Sequence, residues 1–335
     1  MHPVPASLLS RRSALLALAG SAIALATPTL AATSSIRPHE ARTVLFLGDS
    51  ITYAGTWVGW AETWFRMQHP QSDTAFINIG LPSETVSGLS EPGHAGGSFP
   101  RPDLHERLGR ALAKIKADVV IACYGMNDGI YFPYSEERAQ RHYDGITRLR
   151  TAVLATGASL IHLTPPTFDP VPLKGRTLPA GRDAYPNPYE GYDDVLARYS
   201  GWLLAKRSEG WIVGDIHGPM SRHLTERRKK EPSYVLAGDG VHPGPTGHWL
   251  MTRELLRLWG AAPTITDSES PDPLLQSRPK GREIADLVAR RQNLLRDSWL
   301  TEVGHLRPGM GRGKPPAEVA AESASLLAQI RTLCP

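Results

Sequence analysis

Two rhythms of apolar residues run through the chain. Unbroken apolar runs of strand length occur at Val44-Leu45-Phe46-Leu47, Ala75-Phe76-Ile77-Asn78-Ile79, Val119-Val120-Ile121-Ala122-Cys123 and Leu160-Ile161-His162-Leu163, with Trp211-Ile212-Val213 a weaker fifth. Between them the spacing becomes helical, over residues 57–67, 104–116, 136–155 and 192–208. Strands that are apolar throughout, instead of at alternate positions, are buried on both faces. With helices between them, they predict a parallel sheet covered on each side. Right-handed crossovers then make the fold an α/β class, three-layer α/β/α sandwich.

Three stretches fall outside this pattern. Residues 165–191 carry many Pro, Gly and Tyr residues without periodicity, and predict a long loop after the fourth strand, of the kind that carries function. Beyond Gly260 the composition shifts, and residues 264–280 read as an irregular linker rich in Ser, Asp and Pro. Ile284, Leu287, Val288, Leu294, Leu295 and Trp299 then fit one helical face over 284–300, with a second helix over 317–330. Residues 261–335 are thus expected to be a linker and helical extension docked on the core, not a separate domain.

At the amino terminus, Arg11-Arg12 precede an apolar stretch over 14–26 that ends in small residues near Ala31-Ala32. This reads as a signal peptide over 1–32, too short to span a bilayer stably, and implies a periplasmic or extracellular protein. Ser10-Arg11-Arg12 with Leu15 resembles a twin-arginine signal, but Ala14 stands where that pattern has Phe, so general secretion stays open. No other stretch is apolar enough to cross a membrane, and no stable membrane insertion is expected.

Composition narrows the function classes. Hydrophobic residues make up 41% and charged residues 21%, an ordinary globular balance. The net charge of +4 is spread out, and its densest run, Arg227-Arg228-Lys229-Lys230, is flanked by Glu226 and Glu231. That run reads as a solvated helix end or loop, so no nucleic-acid partner is expected. Cys123 reads as a small buried hydrophobe, and pairing with Cys334 is not expected. No HExxH or His/Cys cluster suggests a metal, and Gly93 to Gly97 lacks the Lys-Ser/Thr of a phosphate loop, so no cofactor is expected. The sequence says nothing about oligomeric state.

The candidate chemistry begins at Ser50, which follows a buried strand at a strand-to-helix turn. Ligands of open α/β sheets sit at that end, and a serine there reads equally as a helix cap or as an exposed nucleophile. Asp239-Gly240-Val241-His242-Pro243 supplies the partner. An aspartate three residues before a histidine across a glycine turn accepts the imidazole Nδ1–H and frees Nε2 to take the serine proton. Gly80, at the end of the second strand, and Asn127, at the end of the third, offer a backbone and a side-chain donor for an oxyanion. Asp215 and Asp49 read as turn and cap residues. Trp57, Trp60 and Trp64 read as core. Tyr185, Tyr189 and Tyr192, in or just past the long loop, are candidate substrate contacts.

Gly48-Asp49-Ser50, Gly80, Gly125-Met126-Asn127-Asp128 and Asp239-Gly240-Val241-His242-Pro243 resemble, in order, the blocks of the SGNH (GDSL) hydrolase superfamily, over about residues 42–260. The resemblance implies a five-stranded, flavodoxin-like sheet and Ser50 as nucleophile with Asp239–His242 as relay. It also implies an oxyanion hole from the Ser50 and Gly80 amides and the Asn127 side chain. The departure is Leu81-Pro82-Ser83, which replaces a more glycine-rich continuation and bears on the direction of the Gly80 amide. The expected activity is hydrolysis of a carboxylic ester through an acyl-enzyme, on a small-molecule or polysaccharide substrate. A polar aromatic loop and the lack of a long apolar lid favour short acyl groups, acetyl above all, on carbohydrate. The alternatives are an acyltransferase or thioesterase on the same fold, or a non-catalytic carbohydrate-binding protein.

Overall fold

The computed structural model describes residues 36–334, and the expected signal peptide lies outside them. In chain order the elements are β1 (Thr43–Gly48), α1 (Ser50–Tyr53), α2 (Thr56–Gln68), β2 (Ala75–Asn78), α3 (Leu104–Ile115), β3 (Val119–Cys123), α4 (Glu136–Leu154) and β4 (Ser159–Leu163). They continue with α5 (Tyr192–Ala205), β5 (Ile212–Gly214), α6 (His217–Lys230), α7 (Pro245–Leu258), α8 (Pro263–Thr266), α9 (Asp272–Gln276), α10 (Gly281–Val303) and α11 (Pro316–Leu333). The five strands form one parallel sheet in the order β2-β1-β3-β4-β5.

Side chains of each strand alternate between two cores. Val44 and Phe46 of β1 join Ile121, Ile161, Trp57, Phe65, Trp249 and Leu255 on the face covered by α2 and α7. Leu45 and Leu47 join Val120, Ala122, Leu160, Leu108, Leu112 and Leu149 on the face covered by α3 and α4. Both sides of every central strand are therefore dry, which is why the strands read as continuous apolar runs. The chain leaves β1 for β2 on one side and returns to β3 on the other. A crevice opens at the carboxyl ends of β1 and β3, where Gly48 pairs with Cys123.

The extension is built into this frame. Helix α10 buries Ile284, Val288, Leu295 and Leu300, and its Gln292 donates to the Phe76 carbonyl of edge strand β2 at 3.2 Å. Covering an edge strand removes a template for unwanted strand pairing. The docking is polar as well as apolar. Buried Glu62 accepts from Arg66 at 2.8 Å and from Arg291 of α10 at 2.8 Å, and also from Gln292. Arg296 donates to the Tyr53 carbonyl at the end of α1 at 2.9 Å and lies over the Tyr53 ring.

One expectation needs correction. The stretch 264–280 is not irregular: it holds most of α8 and all of α9, each opened by a proline in its first turn. Arg257 and Trp249 tie it down by donating to the Thr266 and Ser268 carbonyls at 2.6 and 2.9 Å. The basic run at 227–230 is the last turn of α6, where positive charge suits the helix dipole. Cys123 and Cys334 are both free and buried. No helix among the described residues is long and apolar enough to cross a membrane.

Candidate active site

Strand β1 ends at Gly48, and the chain folds straight back into α1. A Cβ on Gly48 would lie 2.2 Å from Thr52 Oγ1 and 2.8 Å from the Cys123 carbonyl, so only glycine permits this tight return. Asp49 caps the helix, its carboxylate accepting the Ile51 N–H at 2.9 Å. Burial pushes the Asp49 carboxyl up to about 7, against the lowering effect of that hydrogen bond. Ser50, the first residue of α1, has an amide with no hydrogen-bond partner among the described residues, as expected of a first-turn N–H.

The Ser50 hydroxyl meets His242 Nε2 at 2.8 Å, and His242 Nδ1 meets Asp239 Oδ2 at 2.7 Å. Because a carboxylate can only accept, Nδ1 carries the proton and Nε2 is left to receive one from Ser50. The other Asp239 oxygen accepts the Val241 and His242 amides at 3.0 and 2.8 Å. Burial alone would raise the Asp239 carboxyl, but these amides and the imidazole outweigh it and hold it below the usual carboxylate range. Gly240, at φ +79°, makes the turn possible, and its carbonyl accepts from the Asp169 amide at 2.9 Å. The loop after β4 thereby braces the relay. Both side chains remain half exposed, Asp239 at 57% and His242 at 50%.

Asn127 is held at both ends of its amide. Its Nδ2 donates to the Glu84 carbonyl at 3.1 Å, and its Oδ1 accepts from the Tyr131 hydroxyl at 3.2 Å. This fixes which end is nitrogen and leaves the second Nδ2 hydrogen free. Glu84 is itself anchored by Arg107 at 2.6 and 2.7 Å and by the Tyr124 hydroxyl at 2.6 Å. The loop after β3 contains two non-glycine residues in the left-handed region, Ile130 at φ +49° and Tyr131 at φ +58°. Such conformations cost on the order of 1–3 kcal/mol each and persist only where surroundings enforce them. Asp128 provides part of that enforcement by accepting the Val86 and Ser87 amides at 2.9 and 2.8 Å. Tyr192 provides another part, its hydroxyl donating to the Met126 carbonyl at 2.9 Å and accepting from the Gly129 amide at 3.0 Å.

Two of the expected site residues change role. The Gly80 amide donates to Asn78 Oδ1 at 2.9 Å, a local side-chain closure that uses up the donor assigned to the oxyanion. Gly80 is instead required for packing, since a Cβ there would lie 2.4 Å from the Tyr53 nitrogen. In the same loop Ser83 adopts φ +69°, and its amide has no hydrogen-bond partner among the described residues. It immediately precedes Glu84, which holds Asn127. Tyr192 is fully buried and braces the β3 loop, so it offers no surface to a substrate. Tyr185 and Tyr189 are half buried beside Phe132, their rings 4.9 Å (Phe132 to Tyr185) and 6.4 Å (Tyr185 to Tyr189) apart.

Asp215 caps α6 by accepting the Gly218 amide at 3.0 Å. Trp57 and Trp64 are buried and Trp60 packs against the same core. His248 lies inside α7, where burial drives it down to about 4. Among the described residues no group of His, Cys, Asp and Glu is placed to hold a metal ion. The assembled set is a hydroxyl on a base, the base on a carboxylate, and free donors at neighbouring strand ends. Chemically, such a set deprotonates an alcohol as it attacks a carbonyl.

The signature of the GDSL-like lipase/acylhydrolase family matches residues 46–250. No curated protein sequence matches significantly. Among solved structures, a gut microbial diltiazem-metabolizing enzyme is similar, with 18% identity and a TM-score of 0.49 over 68% of this chain. The match spans about half of that protein, 49% of its length. The acetylxylan esterase Axe2 of Geobacillus stearothermophilus is similar with 20% identity and a TM-score of 0.47, over 66% of this chain and 95% of that one.

Proposed function

The chain belongs to the GDSL-like lipase/acylhydrolase family and is a carboxylic ester hydrolase by class, and on that premise we propose that Ser50 is its nucleophile, with His242 as base and Asp239 as orienting acid. The unbroken line of short contacts, 2.8 Å from Ser50 to His242 and 2.7 Å on to Asp239, carries this reading. Ser50 Oγ attacks the acyl carbonyl as Nε2 takes its proton. Asp239 stays ionised and stabilises the imidazolium. The developing oxyanion is met by the Ser50 amide, the free Nδ2 hydrogen of Asn127 and, in place of Gly80, the Ser83 amide. Nε2 then protonates the leaving alcohol, and water enters by the reverse path to release the acid.

The substrate we propose is a short acyl ester, acetyl above all, on a carbohydrate. The half-exposed relay leaves room for a bulky leaving group. Phe132, Tyr185 and Tyr189 join the site through the Tyr189 amide, which donates to the Tyr131 carbonyl at 2.9 Å, and they offer the planar faces that sugars stack on. The expected signal peptide would take the enzyme to where polymeric esters are met. The test is a screen of acetylated polysaccharides and of p-nitrophenyl esters of increasing length, alongside fluorophosphonate labelling. Labelling at Ser50 with a preference for acetyl esters supports the reading. Failure to label would leave only a binding role, and a preference for long chains would overturn the substrate class. Faster release with an added alcohol than with water would make the protein a transferase.

A further inference from the structure

Resting on the reading of Asn127 as an oxyanion donor, we infer that Tyr131 is a positioning residue of this enzyme: its hydroxyl locks the Asn127 amide in the one orientation that presents nitrogen to the developing oxyanion. An asparagine amide is nearly symmetric in shape, and turned over it would present an oxygen to a negative charge. What prevents the turn is the pair of contacts at its ends. The Glu84 carbonyl, 3.1 Å from Nδ2, can only accept and so demands nitrogen at that end, while the Tyr131 hydroxyl, 3.2 Å from Oδ1, donates to the oxygen at the other and holds the amide in that orientation.

The fold goes to some length to put the phenol there. Tyr131 and its neighbour Ile130 both sit in the left-handed region, and neither is glycine. The ring is clasped by Tyr192 at 4.8 Å, stacked, by Phe168 at 6.3 Å, and by the Arg101 guanidinium at 5.3 Å. Arg101 is in turn fixed by two hydrogen bonds to Glu91 at 2.7 Å. Burial also holds the phenol above its ordinary range, so it stays a donor wherever the enzyme works. Backbone strain at a residue that touches an active-site amide is the signature of a functional constraint.

The experiment is a double-mutant cycle over Tyr131→Phe and Asn127→Ala in the full chain, read as kcat and KM on p-nitrophenyl acetate and as the rate of fluorophosphonate labelling. Tyr131→Phe keeps the clasped ring and removes only the hydroxyl. It should lower kcat and the labelling rate about tenfold, with KM within about twofold, while Asn127→Ala lowers them by roughly a hundredfold or more. In the Asn127→Ala background, Tyr131→Phe should add no further loss, because there is no amide left to orient. Losses that multiply in the double variant would show independent roles and overturn the inference, as would full turnover or loss of fold in Tyr131→Phe alone. Full turnover in Asn127→Ala would overturn the oxyanion reading itself, and the inference with it.

Discussion

Two carboxylates in this molecule are each gripped by several donors, and they do opposite things. Glu62 lies between α2 and α10, wholly buried, with Arg66, Arg291 and Gln292 around it. Asp239 lies at the end of the sheet, 57% exposed, gripped by its own turn and by His242. Sealed from water, the Glu62 cluster has no alternative partners, so its charges serve only to fix where α10 docks. At the surface, the Asp239–His242 pair can gain and lose a proton without exposing a buried charge, and its partner Ser50 is within reach of a substrate. A grip in the interior makes architecture, and on the proposed mechanism the same grip at the rim makes a relay.

The widest break in that comparison comes from removing the reacting groups. Ser50→Ala and His242→Ala should each lower kcat on p-nitrophenyl acetate by roughly four to six orders of magnitude. Both positions touch solvent, so urea midpoints should stay close to wild type. A midpoint that falls with activity would mean the relay is structural after all. Asp239→Asn comes next. Its backbone-accepting oxygen survives, but the imidazole loses its anionic partner, and a loss of roughly a hundred- to ten-thousand-fold in kcat is expected.

Glu62→Ala should invert the pattern. Removing one member of a buried ion cluster leaves Arg66 and Arg291 without their counter-charge, at a cost of about 3–5 kcal/mol by urea titration. The specific activity of the molecules still folded should be near wild type, because α10 meets α1 at Tyr53, the end of that helix away from Ser50. Activity lost in proportion beyond the unfolded fraction would show that the extension supports the nucleophile turn more directly.

What could be read beforehand follows the same division between short-range and long-range causes. The strands were legible because burial on both faces leaves no polar positions, and the contact between Asp239 and His242 was legible because the two lie three residues apart. Gly80 misled because a side chain two residues earlier, Asn78, captures its amide. Ser83, Ile130 and Tyr131 gave no sign of their left-handed backbones, since that conformation is imposed by tertiary contacts and their residue types argue against it. Tyr192 read as a loop aromatic near the site, but its hydroxyl is spent on the backbone of another loop. Helices α8 and α9 escaped notice because four or five residues carry too little periodicity to register.

The smallest effect expected concerns a third carboxylate, Asp49, which stands between the two extremes: buried like Glu62 but adjoining Ser50. Its acid form is favoured in the folded protein, with a pKa of about 7, against about 3.9 in an unfolded chain. Between those values the unfolded state gives up a proton that the folded state keeps. The stability contributed by this group is therefore fully present below about pH 4 and is lost as pH rises towards 7. Asp49→Asn keeps the oxygen that accepts from the Ile51 amide and removes the ionisation. Its melting temperature should match wild type near pH 4 and exceed it at pH 8. A constant difference across that range would mean that Asp49 is ionised throughout, and that the buried cap shares its charge with His242 across the nucleophile turn.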